Sequence, residues 1–377
     1  MQDIASSSGN DTSQIIEGEV TEACLPGSSP WILNPLLDYL FVAGGMLWIL
    51  WGLSALGTAT KNDPTSMVYG AILFCGSLLI SDVHGPATLA RVYTSATTPN
   101  KTRRLVTLAA VIFIALGLPC LFNPGLAAIF TKITLLWGVQ HYTAQTYGVV
   151  MIYSMKRKFN LAPFERLVVQ NLLRAQILFV WTRACTYKEY GSLNFMGLDI
   201  PFWGPLPIGF LIFSQFALVL MMIAFVLTFA YRFYSERRLL PLPAILSIVS
   251  VITLTFLARD NFNYLIGVIF YHASQYLAIT YSYYLRELAI KRAQANPSTA
   301  PPTLKEVFFS RPSLLYYASI LLVGLFITFL LPKGIAFFGI SFTLALCVVY
   351  SVFNCHHYLA DSFIWRIRDE KVRQLLV

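Results

Sequence analysis

Residues 208–230 read IGFLIFSQFALVLMMIAFVLTFA and contain no charged side chain. A helix of about 20 apolar residues crosses the hydrocarbon core of a bilayer, which is about 30 Å thick. The run SLLYYASILLVGLFITFLL at 313–331 is also long enough to do so. In the whole chain 56% of the residues are hydrophobic and 12% are charged, whereas soluble domains carry about 25% charged residues. The sequence therefore predicts an all-α fold, a polytopic transmembrane helical bundle in a lipid bilayer.

Hydropathy and helix-breaking residues divide the chain into about ten predicted spans. They are 36–57, 66–90, 105–122, 126–153, 164–185, 206–233, 241–258, 261–286, 313–331 and 335–364. The fifth is the least apolar, because Glu165, Arg166 and Arg174 interrupt it. It is expected to cross the bilayer, or alternatively to lie in the interface or along an internal cavity.

Two polar segments are assigned to a tail and a linker. Residues 1–33 contain no Lys or Arg, so they do not form a secretory signal peptide and are expected to be a disordered N-terminal tail. Residues 34–377 are expected to form a single transmembrane helical domain. The sequence AQANPSTAPPT at 293–303 lies in a predicted cytoplasmic linker near 290–311.

Basic residues are concentrated on one side of the predicted topology. Loops after even-numbered spans hold clusters such as the one that includes Lys156 and Lys158, whereas loops after odd-numbered spans hold isolated residues such as Lys61. Cytoplasmic loops carry the excess of Lys and Arg, so both termini are expected inside. The same bias accounts for the formal net charge of +9 without a nucleic-acid partner.

All five histidines lie in or at the end of predicted spans. They are His84, His141, His272, His356 and His357. These spans are the second, fourth, eighth and tenth, so they all run from outside to inside, and their histidines are expected at overlapping depth. Ionisable groups inside a bilayer face the protein interior and are candidates for function. A lone membrane histidine is often only an interhelical hydrogen-bond donor, and that interpretation stays open for each one taken singly.

Polar side chains accompany the histidines along the same helices, and a spacing of three or four residues places two side chains on one helix face. The pairs are Gln145 and His141, Gln275 and His272, Asp361 and His357, and, two residues apart, Asp82 and His84. Gln140, Gln145 and Gln275 are expected to orient ligands or substrate, since such groups accept the second ring N–H of a metal-bound histidine. Asp361 is expected either to be a ligand or to orient one.

Neutral imidazoles together with a carboxylate suit iron, copper or zinc. The predicted ligands are His84, His141, His272 and His357, with His356 or Asp361 completing the set. The predicted cofactor is iron (Fe2+), with another transition metal as the alternative. The chain lacks the HxxxH, HxxHH and HExxH patterns and any P-loop. Ligands donated singly by four helices favour a mononuclear centre over a di-iron one.

Four motifs carry a resemblance to known proteins. They are NPLLDYLFVAGG (34–45), DVHGPATLARVY (82–93), QHYTAQTYG (140–148) and HHYLADSFIWR (356–366). Together they resemble a family of polytopic bacterial membrane proteins of unassigned function, over nearly the whole chain. This resemblance implies a multi-pass protein of the bacterial inner (cytoplasmic) membrane or of an internal membrane.

The chain is more loosely similar to the Brp/Blh membrane β-carotene dioxygenases. These are helical bundles that hold iron by histidines from different helices and cleave a long polyene with O₂. The similarity implies that His84, His141, His272 and His357 are iron ligands.

The leading hypothesis is a membrane-embedded metal-dependent oxidoreductase or oxygenase, with non-haem iron and a lipid-soluble substrate such as an acyl or isoprenoid chain. A redox partner is expected if electrons are needed. If the histidines are more than about 10 Å apart, a single metal ion is excluded, because metal–nitrogen bonds are near 2 Å.

Two alternatives remain open. The first is a non-enzymatic subunit that binds haem or a pigment or acts as a scaffold, with histidines in separate cavities. The second is a transporter, with Arg174, Arg183, Asp82 and Asp361 along its path and with broken helices near mid-membrane.

Overall fold

A computed structural model describes residues 29–58, 71–72, 74–257, 267–296, 303–366 and 369–377. Nearly all regular structure in these residues is helical, which confirms the predicted all-α class. The exception is a β-hairpin of β1 (Leu193–Phe195) and β2 (Leu198–Ile200). The sequence assigned this stretch to a loop between spans.

Fifteen α-helices lie within the described residues. They are α1 (Pro35–Leu37), α2 (Gly45–Thr58), α3 (Asp82–Thr94), α4 (Asn100–Cys120), α5 (Pro124–Lys156), α6 (Pro163–Thr186), α7 (Lys188–Gly191), α8 (Ile208–Glu236), α9 (Leu242–Leu257), α10 (Ser274–Ala295), α11 (Leu304–Phe308), α12 (Arg311–Leu325), α13 (Leu331–Phe337), α14 (Phe342–Ile364) and α15 (Glu370–Leu376).

Four π-helical turns interrupt or extend these helices in the same part of the chain. They are π1 (Asp38–Val42), π2 (Ser77–Ser81), π3 (Val268–Ala273) and π4 (Phe326–Leu330). Isolated π turns inside helices are rare and occur often at functional sites. Here π2 directly precedes α3, and π3 directly precedes α10.

Four helical segments of the described residues are long and apolar enough to cross a membrane. They are Asn100–Cys120, Ile208–Glu236, Arg311–Phe337 and Phe342–Ile364. A fifth is reached if Pro35–Val42 and Gly45–Gly52, which meet at a bend of 63°, count as one span. These segments agree with an integral membrane protein.

The predicted count of ten spans is larger than this number. Predicted span 241–258 corresponds to α9, which is apolar but short, and 126–153 corresponds to α5, which is not among these apolar segments. Two further observations concern the other three. Predicted spans 66–90 and 261–286 lie partly outside the described residues. Helix α6 carries Glu165, Arg166 and Arg174, so it is long but not apolar throughout. The sequence therefore predicted the helices better than it predicted which of them cross a bilayer.

Helix α8 illustrates the surface of the bundle. Its apolar side chains point largely outward, and Phe213 and Phe216 are 64% and 66% exposed. Such a surface is unfavourable in water and suits a lipid environment, in which outward-facing residues are apolar.

Part of the predicted disordered tail is packed against the fold. Ile32, assigned to the disordered tail, is buried, and its backbone N–H donates to Asp38 Oδ2 at 2.7 Å. The N–H of Leu33 donates to the other carboxylate oxygen at 2.9 Å. Residues 1–28 of the predicted tail, and 297–302 of the predicted linker, lie outside the described residues.

Helix α14 lies at the centre of the bundle. Half of its apolar span is buried, a larger share than in the other three candidate spans. It packs against α3, α4 and α5, and α3 in turn packs against α10 and α12. The four helical regions that carry histidines are therefore neighbours in the fold.

Asn123 and Pro124 fix the N-terminus of helix α5. The Asn123 side chain accepts hydrogen bonds from the N–H groups of Gly125 and Leu126, and Pro124 occupies the first helical position, where its missing N–H costs nothing. The helix then continues for 33 residues. It brings His141 into the middle of the molecule, opposite α14.

Candidate metal centre

Four histidines from four helical regions meet at one point. His84 comes from α3, His141 from α5, His272 from π3 and His357 from α14, and all four are buried. The distances between ring centroids are 4.9 Å (His84–His357), 5.3 Å (His84–His272), 5.0 Å (His141–His272), 4.9 Å (His141–His357) and 6.3 Å (His272–His357). These distances lie well inside the limit that would exclude a single ion. We call these four residues the histidine cluster.

One nitrogen of each ring is buried and has no hydrogen-bond partner among the described residues. The four atoms are His84 Nε2, His141 Nε2, His272 Nδ1 and His357 Nε2. Leaving a buried polar atom unpaired costs about 1–3 kcal/mol. A transition metal ion accepts nitrogen lone pairs, so residues of this cluster could hold one.

The tautomer of His84 follows from its contact with Ser81. The Nδ1 atom is hydrogen-bonded to the carbonyl oxygen of Ser81, and a carbonyl oxygen can only accept. Nδ1 therefore carries the proton in neutral His84, and Nε2 keeps its lone pair. Since Ser81 is the last residue of π2, this turn orients the histidine.

His357 is oriented by Thr88. Its Nδ1 lies 2.7 Å from Thr88 Oγ1, on the neighbouring helix α3. With Nδ1–H donating to this hydroxyl, the Nε2 lone pair faces the cluster. A hydrogen bond from the second ring nitrogen is the usual support of a metal-bound histidine.

The two carboxylate oxygens of Asp361 make different contacts. Oδ1 accepts from the Tyr276 hydroxyl at 2.7 Å and from Thr88 Oγ1 at 3.2 Å. Oδ2 lies 3.6 Å from His141 Nε2 and 3.7 Å from His357 Nε2. The carboxylate is thus held by its first oxygen and presents the second to the histidines, as a ligand or a close neighbour of one.

Two groups of residues have ligand atoms within 4.8 Å of one another, namely His84, His272 and His357, and His141, His357 and Asp361. Both contain His357, whose Nδ1 is engaged by Thr88. The two groups therefore share His357 as a possible donor, and each offers three ligand atoms to an ion.

Three residues of the centre were missed by sequence reasoning. The hydroxyl oxygens of Thr88 and Tyr276 lie 2.6 Å apart, and Trp365 Nε1 donates to the Tyr276 hydroxyl at 3.1 Å. A signal was present, because Thr88 follows His84 by four residues and Tyr276 follows His272 by four. The same spacing that identified Asp361 identifies both hydroxyls.

His356 does not belong to the cluster, which corrects its prediction as a ligand. Its Nε2 lies 3.2 Å from the carbonyl oxygen of Val106 on α4. Consecutive residues of an α-helix point about 100° apart. Since His357 faces the cluster, its neighbour His356 must face elsewhere.

The glutamines hold backbone rather than histidine rings. Gln145 Nε2 donates to the carbonyl oxygen of His272 at 3.2 Å and to Gln275 Oε1 at 2.7 Å. Gln275 Nε2 donates to the carbonyl oxygen of Val42 at 2.6 Å. They therefore fix the position of π3, and the expectation that they accept a ring N–H is wrong for the contacts seen here.

Asp82 lies near the cluster but outside the two ligand groups. Its oxygens accept from Ser77 Oγ and Thr328 Oγ1, both at 3.4 Å. Asp82 lines the larger of the two cavities described below. It is therefore part of a cavity wall and does not belong to either group of candidate ligands.

The apolar cavity has a volume of about 550 Å³ and reaches His84, His141 and His272. Most of its wall is hydrocarbon, from residues that include Phe74, Leu78, Ile269, Phe329, Val349 and Phe353. This size is typical of a small-molecule site.

The second cavity has a volume of about 460 Å³ and reaches His141 and Asp361. Its wall includes Gln140, Gln145, Tyr276, Ser362, Trp365 and Leu376. His141 and Tyr358 line both cavities, so this pair stands between them.

The fold and the site together define a class, a helical bundle with a buried centre of four histidines and one aspartate between two cavities. The chain matches no family model, no curated protein and no solved structure. The resemblances carried by the four motifs therefore stay predictions, and the function has to be argued from the site.

Proposed function

We propose that the protein is a membrane-embedded, metal-dependent oxidoreductase or oxygenase that acts on a lipid-soluble substrate. The observation that carries this proposal is the set of four buried ring nitrogens without hydrogen-bond partners, contributed by four separate helical regions. Ionisable groups inside a membrane protein are costly and mark functional sites.

The metal that we propose is non-haem iron, Fe2+. Imidazole nitrogens suit iron, copper and zinc, and a neighbouring carboxylate adds a hard oxygen donor. Three protein donors of this kind leave positions free for a substrate or for O₂. When bound, the ion would supply Lewis-acid and redox chemistry at an open coordination position.

The chain's own residues would prepare this centre. Ser81 holds the tautomer of His84, and Thr88 holds the ring of His357 in place through its Nδ1 atom. Tyr276 holds one oxygen of Asp361, so that the other faces the ligands. These contacts fix the ring orientations before any ligand arrives, which is the purpose of second hydrogen bonds around metal sites.

The apolar cavity supports a lipophilic substrate. Its wall is mostly hydrocarbon, and two of its residues, Phe74 and Phe329, are 68% and 47% exposed on the outer surface. An acyl or isoprenoid chain would pass between these side chains directly from the bilayer. The same wall would exclude water from the face of the centre on which the substrate lies.

We also propose the finer topology derived from the sequence, a multi-pass protein of the bacterial cytoplasmic or an internal membrane with about ten spans and both termini inside. Long helices with polar faces, such as α5 and α10, would cross the membrane in the interior of the bundle. A cytoplasmic redox partner would serve the centre if electrons are required.

The two alternatives have less support. A haem or chlorophyll needs a flat slot beside its axial ligand, whereas here four imidazoles surround one point. In the transport hypothesis Arg174 and Arg183 would share a path with the aspartates. Arg174 instead bonds Asn171 on an exposed face, and Arg183 bonds the carbonyl oxygen of Thr255.

Metal analysis of the purified protein tests the proposal, and the chain offers a matched control. Wild type should contain about one transition metal ion per chain, and His141→Ala and His357→Ala should lose it. His356→Ala removes an equally buried histidine that lies outside the cluster, and it should keep the metal. Wild type without metal after iron supplementation, or His357→Ala with full metal content, would overturn the proposal.

A further inference from the structure

The second cavity is not used by the proposed lipophile. It meets the centre at His141 and Asp361, whereas the apolar cavity meets it at His84, His141 and His272. The two cavities have in common only His141 and Tyr358 among their lining residues. The centre is therefore reached from two sides by two separate spaces.

The wall between the cavities is a stacked pair. The rings of His141 and Tyr358 lie 4.4 Å apart between centroids, with 28° between their planes. Gly138, one turn before His141, makes room for this tyrosine, since a Cβ there would lie 3.0 Å from its hydroxyl oxygen. A lipid chain in the apolar cavity would meet this wall before it reached the other side.

The wall of the second cavity contains hydrogen-bonding groups beside apolar ones. Gln140 and Gln145 lie on α5, and Asp361 and Ser362 lie near the end of α14. Helix α15 contributes Leu376. In the predicted topology α15 lies on the cytoplasmic side, where water and water-soluble reactants are abundant.

We propose that the second cavity is a separate site for water and for water-sized polar reactants, which reach the metal centre from the side opposite to the lipophile. The proposal rests on the proposed function for the identity of the centre. It adds a second reactant, of a different chemical class, with its own route. Tyr358 and His141 keep the two reactants apart until both contact the centre.

Cysteine accessibility tests the route without reference to any metal. Gly148 lines the second cavity, and a Cβ there meets no atom within 4 Å, so Gly148→Cys should fold normally. Val349→Cys in the apolar cavity is the matched probe. Each substitution is made in a variant that lacks the native cysteines. Membrane vesicles of each orientation are then treated with a charged reagent, 2-sulfonatoethyl methanethiosulfonate, and separately with apolar N-ethylmaleimide.

The charged reagent should label Gly148→Cys about ten times faster than Val349→Cys, because a charge enters hydrocarbon only at high cost. With N-ethylmaleimide the difference should disappear. If Gly148→Cys resists the charged reagent in both vesicle orientations, or if Val349→Cys reacts equally fast with it, the proposal is wrong. Neither result depends on metal content, so this failure differs from failure of the proposed function.

A second experiment uses azide as a small polar probe of the metal-loaded protein. Gly148→Leu should fill part of the second cavity and slow the binding of azide, followed by its absorption band, about tenfold. Gly209→Leu is the control, because a Cβ at Gly209 also meets no atom within 4 Å and α8 lies outside both cavities. Equal azide binding rates in the two variants would contradict the proposed route.

Discussion

The ring of Tyr358 stacks on the ring of His141. Tyr358 directly follows His357, which belongs to the same cluster as His141. Two consecutive residues of α14 thus contact the centre in different ways. His357 offers a nitrogen, and Tyr358 covers the face of a histidine from another helix. This relationship makes the position of Tyr358 sensitive to the size of the residue opposite it, which is Gly138.

Gly138→Ala is expected to be less stable than Gly148→Ala by about 1 kcal/mol, because the added methyl group would lie 3.0 Å from the Tyr358 hydroxyl oxygen and the tyrosine ring would have to shift. Gly148→Ala, on the same helix with open space at the Cβ position, should be neutral or stabilising by up to about 1 kcal/mol. Thermal unfolding in detergent measures both. Equal melting temperatures would show that Tyr358 is not held against Gly138.

Thr88→Val should weaken metal binding about 10- to 100-fold, since it removes the hydroxyl that accepts the Nδ1–H of His357 while keeping the side-chain volume. Thr88→Ser keeps the hydroxyl and should bind metal nearly as wild type does. Competition with a chromogenic chelator gives the two affinities. If valine and serine at this position bind metal equally well, Thr88 does not orient the ligand.

Asp361→Asn should lower metal affinity, because Oδ2 would no longer bring a negative charge to within 4 Å of two histidine nitrogens. The expected loss is at least about tenfold, the scale of a change in a ligand or its immediate neighbour. Asp82→Asn is the matched control, an aspartate that lines the apolar cavity and lies outside both ligand groups. An equal loss in the two variants would mean that overall charge, and not position, matters.

Val349→Trp should block the apolar cavity without removing the metal. Fluorescent cis-parinaric acid, a polyunsaturated fatty acid, should bind wild type saturably and this variant about ten times more weakly, because the indole fills space that the chain would occupy. Val226→Trp places the same residue on an exposed apolar face and should bind the probe as wild type does. If Val349→Trp leaves the binding of the probe unchanged, the apolar cavity is not the lipophile site.

Much of the site was predictable from two simple periodicities. The alternation of span direction predicted that histidines on four helices would lie at the same depth, and the structure places His84, His141, His272 and His357 together. The spacing of four residues brought Asp361 to the face of His357. Both arguments need only helix geometry.

The rest depended on rotation and on tertiary contacts, which a single sequence does not specify. The sequence chose His357 but could not decide between His356 and Asp361 as the residue that completes the set, since that choice depends on which face of α14 meets α5. The amides of Gln145 and Gln275 bond to backbone groups of π3 and π1. Every residue has a backbone carbonyl group, so the residue types do not show which carbonyl a glutamine side chain will contact. The count of ten spans stays a proposal, because helices with polar faces are long without being uniformly apolar and composition alone does not show which of them cross the bilayer.

The π turns have a consequence for how such a centre arises. A π turn closes its hydrogen bonds one residue later than an α-helix does, so it contains one residue more. π2 directly precedes α3 with His84, and π3 contains His272. Because the π turn absorbs this extra residue, the helical segments on its two sides keep nearly the same relative rotation, whereas α-helical winding of the same residues would turn His84 by about 100°. The π turns therefore allow the chain to hold one more residue beside the cluster without turning a histidine away from it.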